Sequence, residues 1–255
     1  MCCFSRNVEH VSNTNIFARS SKENRQFVVY SMKIQTKEDL AMILPIPVPK
    51  ESPDDAVRFI SLKGYATFFD DMPRGFPQPK AAVASRSTGG VGSLAEKSKP
   101  LPVVEVGDFG ASFVPSIKDF SRLDERFRLP DAAWDQLPRY RDYGFAVFKL
   151  KEGEAKKQQK VHPMAFEFPR AEPAKLFFPT VHIHDGKVHE RADFDHILYC
   201  QVSDGQTHSM MDWAESMRLA GQFLKVDKTE GIVDAGNHCY KRGIRGKQKN
   251  EDVLV

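Results

Sequence analysis

No apolar run in the 255-residue chain approaches the length of a transmembrane helix. The first fifteen residues, MCCFSRNVEHVSNTN, lack the apolar stretch of a secretory signal. Both absences point to a soluble protein of the cytoplasm. Cysteine is scarce: four residues, Cys2, Cys3, Cys200 and Cys239, with no CxxC pair. Adjacent Cys2 and Cys3 do not make an ordinary structural bridge, so a disulfide framework is not expected. Cys200 reads as a buried strand residue. Charge of one sign is also lacking, since the net charge is only +3. The segment from Lys241 to Val255, with five basic residues against Glu251 and Asp252, carries that excess by itself. A basic face for nucleic acid is therefore not indicated. Residues 241–255 read as a solvated basic tail, able at most to touch RNA or an acidic partner weakly. Partners are otherwise unspecified.

The composition is that of an ordinary globular chain, 41% apolar and 28% charged. Its length is ample for one core. Neighbouring strand-like runs recur without regular βαβ alternation, which predicts an α+β protein. The expected fold is mainly antiparallel β, a sandwich or partly closed barrel, with three to five helices. Residues 26–34, 40–49, 101–106, 111–114, 143–150 and 161–168 read as strands. Four helices are predicted: one opening at Ser52-Pro53-Asp54-Asp55, one over 116–126, a brief one capped by Asp131 through Trp134 and Leu137, and one over 209–224. The last rests on an apolar stripe of Met210, Trp213, Ala214, Met217, Ala220 and Leu224. Residues 72–100 hold four prolines, four glycines and four serines. This reads as a mobile loop interrupting a single domain that spans 1–255. No GK[ST] follows its glycines, so a phosphate cradle is not expected.

Chemistry concentrates between Leu176 and Val202. Asp185-Gly186 is a strong two-residue hairpin turn. With those residues in the loop, His182 faces His189 across the hairpin, and His184 lies on the same face. Three imidazoles at that spacing can hold a divalent transition metal (zinc, iron or copper) and leave a position open for substrate. His162, Asp193 and Asp195 are candidates for a further ligand or an orienting partner. A different arrangement accounts for the same residues: the histidines form the solvated face of a hairpin whose apolar face is Val181, Ile183 and Val188. His238-Cys239 could reach a metal formed elsewhere.

The opening Met-Cys offers a second chemistry. Removal of Met1 would leave Cys2 with a free amine beside its thiol, a nucleophile–base pair. This start resembles cysteine-type N-terminal nucleophile hydrolases, the class II glutamine amidotransferases and bile-salt hydrolases. The resemblance implies an amide hydrolase with Cys2 as nucleophile, although Cys3 stands where the amidotransferases have glycine. The early cysteine, the IFA and VVY strands and the LPIPVP run resemble an uncharacterised bacterial family of unknown function. That likeness covers about the first 70 residues and implies no catalytic residue. The His182-x-His184 pair is similar to the ligand strand of cupins, but Glu190 falls six positions later and no second cupin motif follows. A third class remains, a binding or assembly module without chemistry.

Overall fold

The computed structural model describes residues 2–6, 8, 10–35, 39–77, 101, 103–106, 109–129, 134–150, 159–160, 163–183, 188–202 and 210–255. Sixteen strands lie within them: β1 (Cys2–Phe4), β2 (His10–Ser20), β3 (Arg25–Gln35), β4 (Leu40–Ile46), β5 (Arg58–Ser61), β6 (Val104–Val106), β7 (Phe109–Val114) and β8 (Gly144–Leu150). After these come β9 (Gln159–Lys160), β10 (Met164–Pro169), β11 (Phe177–Phe178), β12 (His182–Ile183), β13 (Arg191–Gln201), β14 (Ala214–Glu215), β15 (Tyr240–Lys249) and β16 (Val253–Leu254).

The strands form a six-stranded sheet in the order β12-β1-β4-β8-β7-β6 and a larger sheet in the order β14-β15-β13-β2-β3-β10-β5, with β9 beside β3. A two-stranded ribbon joins β11 to β16. Pairing is antiparallel except for β1 with β12 and β2 with β13. The protein is thus mainly antiparallel β, in two open sheets with no closed barrel among the described residues.

Strand β4, LAMILPI, is buried along its whole length, as expected of a strand covered on both sides. The two sheets share an apolar core in which aromatic rings meet edge to face or tilted. Phe148 of β8 packs against Phe59 of β5 with ring centroids 5.5 Å apart and against Phe166 of β10 at 5.9 Å. The outer face of the larger sheet carries a second core, built on Phe17, Val29, Ala165 and Tyr199. It is covered by Phe68, Phe69, Met72 and Phe76 from one segment and Ala220, Leu224 and Ile232 from another.

Helix is much scarcer than three to five elements. The α-helix lying wholly within the described residues, α1 (Phe68–Asp71), is a single turn, and most of the rest are 3-10 turns. The predicted helix over 209–224 is not formed. Its chain is extended at β14, where Ala214 and Glu215 pair with Lys241 and Tyr240. The Ser216 N–H donates to the Cys239 carbonyl and the Met217 N–H to the Gly75 carbonyl, both at 2.8 Å. Long-range partners have taken the amides that an α-helix would use, and Met217 is left 63% exposed. The Ser52 signature gives only a turn, because Ser52 Oγ donates back to the Pro49 carbonyl at 2.6 Å. The chain then leaves as β5 along β10. Residues 116–126 form two 3-10 turns, Ile117–Arg122 and Glu125–Phe127.

Two further expectations change. Of the proposed loop 72–100, residues 72–77 are described and packed, with Met72 and Phe76 in the second core; residues 78–100 lie outside the described residues. The basic segment 241–249 does not hang as a solvated tail, since β15 pairs with β13 in continuous register from Arg191↔Lys249 to Cys200↔Tyr240. Its lysines and arginines flank a long sheet strand, where charge discourages unwanted edge pairing.

Candidate functional site

Strand β13 reads RADFDHILYCQ, and its alternation sends Phe194, His196, Leu198 and Cys200 to one face. Asp195, Ile197 and Tyr199 between them take the opposite face, and Leu198 and Cys200 join the core between the sheets. His196 is fully buried. The C-terminal segment brings the second imidazole to it. After pairing with β13, the chain turns at Asn250 and returns along residues 176–183. Leu176 and Val255 exchange both backbone hydrogen bonds, at 2.7 and 2.9 Å. Asp252 Oδ1 accepts from the Thr180 and Val181 N–H groups at 2.9 and 3.2 Å, and its Oδ2 accepts from Tyr140 Oη at 2.6 Å. Buried Asn250 accepts from the His182 N–H at 2.7 Å and donates to the His182 carbonyl at 2.9 Å.

One terminal segment therefore positions both β12 and β13, and their imidazoles meet. The Nε2 atoms of His182 and His196 lie 3.1 Å apart, with ring centroids 4.6 Å apart and planes inclined by 47°. Phe194 closes the side, its ring 4.6 Å from His182 and 5.2 Å from His196 by centroid. Asp195 Oδ1 stands 3.7 Å from His196 Nδ1, and Asp195 Oδ2 accepts from the Asn13 N–H. Burial raises the Asp195 carboxyl, but His196 and the backbone donors of Asn13 and Thr14 outweigh it, leaving it below the usual aspartate range.

This is not the predicted hairpin face. His182 and Ile183 pair in parallel with Cys2 and Cys3, while Val188 and His189 lie outside any strand. His189 is exposed, and its carbonyl accepts from Asn250 Nδ2 at 3.0 Å. The structure thus sets His182 against His196 rather than across a ladder from His189. Asp193 points outward on β13 opposite Lys247. His162, His184 and the Asp185-Gly186 turn lie outside the described residues. Among the described residues no group of three or more metal-ligating side chains occurs. His196, absent from the predicted set, had a visible signal: it occupies an apolar-face position of an alternating strand.

On the outer face of the larger sheet lies a cavity of about 550 Å³. A bulge in β2 between Ser12 and Asn15 shapes it. Asn13 there adopts φ +53°, a left-handed conformation that asparagine tolerates. Ser31 joins Asn13, Asn15, Lys33, Asp70, Asp195 and Arg245 in its polar lining. Asn15 Nδ2 donates to the Asn13 carbonyl at 2.8 Å.

Other reactive side chains are locked. Ser216, His238 and Glu215 superficially form a triad, with His238 Nδ1 3.3 Å from Ser216 Oγ and 3.8 Å from Glu215 Oε1. That same Nδ1 is 2.8 Å from the Ser216 carbonyl, which can only accept, so the nitrogen carries hydrogen and cannot take the serine proton. Ser216 Oγ meanwhile donates to the Arg218 carbonyl at 2.7 Å. Burial pushes the Cys239 thiol up to about 12 and the Cys200 thiol higher still, and both stay protonated at neutral pH. His238 and Cys239 thus serve separate environments and form no metal pair.

No family model matches the chain. Among solved structures it is similar to the crystal structure of baculovirus P35, at 16% identity and a TM-score of 0.49 over 96% of each chain. It is also similar to a chain of the caspase-8/P35 complex, at 13% identity and a TM-score of 0.47 over 95% of each chain. With identities of 13–16% and TM-scores below 0.5, the function of this chain is left to its own residues.

Proposed function

We propose that the protein is a non-enzymatic binding module and that the cavity at the β2 bulge receives a carboxylate-bearing ligand. The cavity carries this reading. Lys33 and Arg245 offer cationic donors, and the amides of Asn13 and Asn15 offer neutral ones. The carboxylate that reaches the buried imidazoles, Asp195, is already engaged by the Asn13 N–H and stands beside His196. Charged and amide donors around one cavity make recognition the chemistry we assign to it.

Titration with glutamate and with a peptide rich in glutamate, followed by amide chemical shifts, separates a small acid from an acidic polypeptide. Shifts at Asn13, Asn15 and Lys33 are expected, and the uncharged glutamine counterparts should leave them unmoved. Each of Lys33→Ala and Arg245→Ala should weaken binding by roughly tenfold, as for a hydrogen bond to a charged group. Equal binding of the glutamine and glutamate forms would sink the idea.

A specific observation favours a second reading, the Cys2 amide hydrolase: Cys2 is in register with His182 along β1 and β12, which sets the N-terminal strand beside an imidazole pair. Intact mass should then show Met1 removed, and Cys2 should alkylate at pH 6 several times faster than in a His182→Gln variant. Retention of Met1 rules this reading out.

A further inference from the structure

We propose that the cleft between residues 74–75 and 218–225 binds a phosphate dianion, free or as a small organic phosphomonoester, through Arg74, Arg218 and Lys225. This cleft is separate from the cavity at the β2 bulge, and the assignment goes beyond the carboxylate-binding reading. Its volume is about 410 Å³, and its described lining holds those three cations with Gln222 and Phe223 but no acidic residue. Asp71, buried behind two of the cations, has Oδ1 3.0 Å from Arg74 Nη1 and Oδ2 3.9 Å from Lys225 Nζ. One carboxylate against three cations leaves a surplus of positive charge that suits a dianion better than a carboxylate monoanion. Guanidinium forks take phosphate oxygens in pairs, and an ammonium acts beside them as a point charge.

The cations are held in place by the fold itself. Arg218 Nη2 donates to the Arg74 carbonyl at 2.9 Å, and the Met217 N–H donates to the Gly75 carbonyl, so the two walls are tied together. The Phe223 ring packs on Gly75, where a Cβ would overlap it. Lys225 is fixed at its backbone, its N–H donating to Tyr65 Oη at 3.0 Å, and its ammonium lies 5.6 Å from the Tyr65 ring centroid. Asp71 is itself set by Thr67 Oγ1 at 3.3 Å. Backbone amides contribute little, because the N–H groups of residues 221–224 donate to the Ala235, Leu219 and Ala220 carbonyls. Recognition therefore falls to the three cationic side chains, and their prior ordering lowers the entropic cost of binding.

The test titrates the untagged full chain with inorganic phosphate, glycerol phosphate and acetate at constant ionic strength, followed by calorimetry and amide chemical shifts. Both phosphates should bind saturably, at least about tenfold tighter than acetate, and should move the amides of residues 221–225. Tighter binding of glycerol phosphate identifies an organic phosphomonoester as the occupant, and equal binding identifies the free anion. Arg74→Gln and Arg218→Gln should each weaken binding by roughly tenfold, the scale of a hydrogen bond to a charged group, and Lys225→Gln should weaken it several-fold. Lys50→Gln, outside the cleft and paired with Asp142, should leave it unchanged. The shifts of the unaltered protein keep the test valid should a variant fold poorly. No saturable binding, acetate binding as tightly as phosphate, affinity indifferent to both arginine substitutions, or shifts confined to Asn13, Asn15 and Lys33 would each overturn the site. Failure of glutamate to bind at the β2 bulge would bear on the other cavity alone.

Discussion

Phe148→Ala is expected to destabilise the protein by about 3–5 kcal/mol, the range for removing a large aromatic side chain from a packed core. Phe148 is fully buried and touches rings from both sheets: Phe59 and Phe166 across the interface, and Phe109 of its own sheet at 6.5 Å. No single neighbour can move to fill the void, because the rings are anchored on three strands held in the two sheets. A domain is typically stable by about 5–15 kcal/mol, so one substitution would consume a large part of the margin. Urea unfolding should show a markedly lower midpoint with an unchanged slope. Met211→Ala is the control: Met211 is 90% exposed, and its loss should change stability by less than about 0.5 kcal/mol. A Phe148→Ala effect as small as that of the control would mean the two sheets do not share this core.

The second large effect is expected at Asp252. Its carboxylate accepts from Tyr140 Oη and from the Thr180 and Val181 N–H groups. Asp252→Ala strands all three donors, and buried donors without partners carry about 1–3 kcal/mol each. A loss of roughly 3 kcal/mol is a conservative expectation. Asp252→Asn keeps an acceptor oxygen for the two backbone donors, and it should recover more than half of that loss. Hydrogen exchange supplies an independent readout: amides of residues 180–183 should exchange faster in the alanine variant, whereas those of β4 should not. Equal destabilisation by alanine and asparagine would show that charge, not the backbone contacts, is what Asp252 contributes.

Period-two patterning was legible. The runs 26–34, 40–49 and 143–150 lie along β3, β4 and β8, because alternating or continuous apolar residues have few other ways to be buried. Helical spacing misled at 209–224. Four of its stripe residues, Met210, Trp213, Ala220 and Leu224, are buried, but they reach two different cores from an irregular chain. Periodicity reports which residues are buried, and only tertiary pairing decides the backbone that buries them. The imidazole site was half legible. His182 stood out by composition, but its partner depended on a pairing of β12 with β1 rather than across a local turn. Local turn chemistry does not encode that choice. Asn250, which sets the His182 backbone, carries no motif at all.

The two parallel pairings have a consequence for how the molecule is made. Strand β1 waits for β12 and β2 waits for β13, each about 180 residues downstream along the chain. Strand β13 then needs β15, which ends at Lys249. Until β13 has been made, β2 presents an unsatisfied edge. Contacts this distant in sequence slow folding and prolong exposure of strand edges. Refolding should therefore be slow for the protein's size, and aggregation during synthesis should begin at β2.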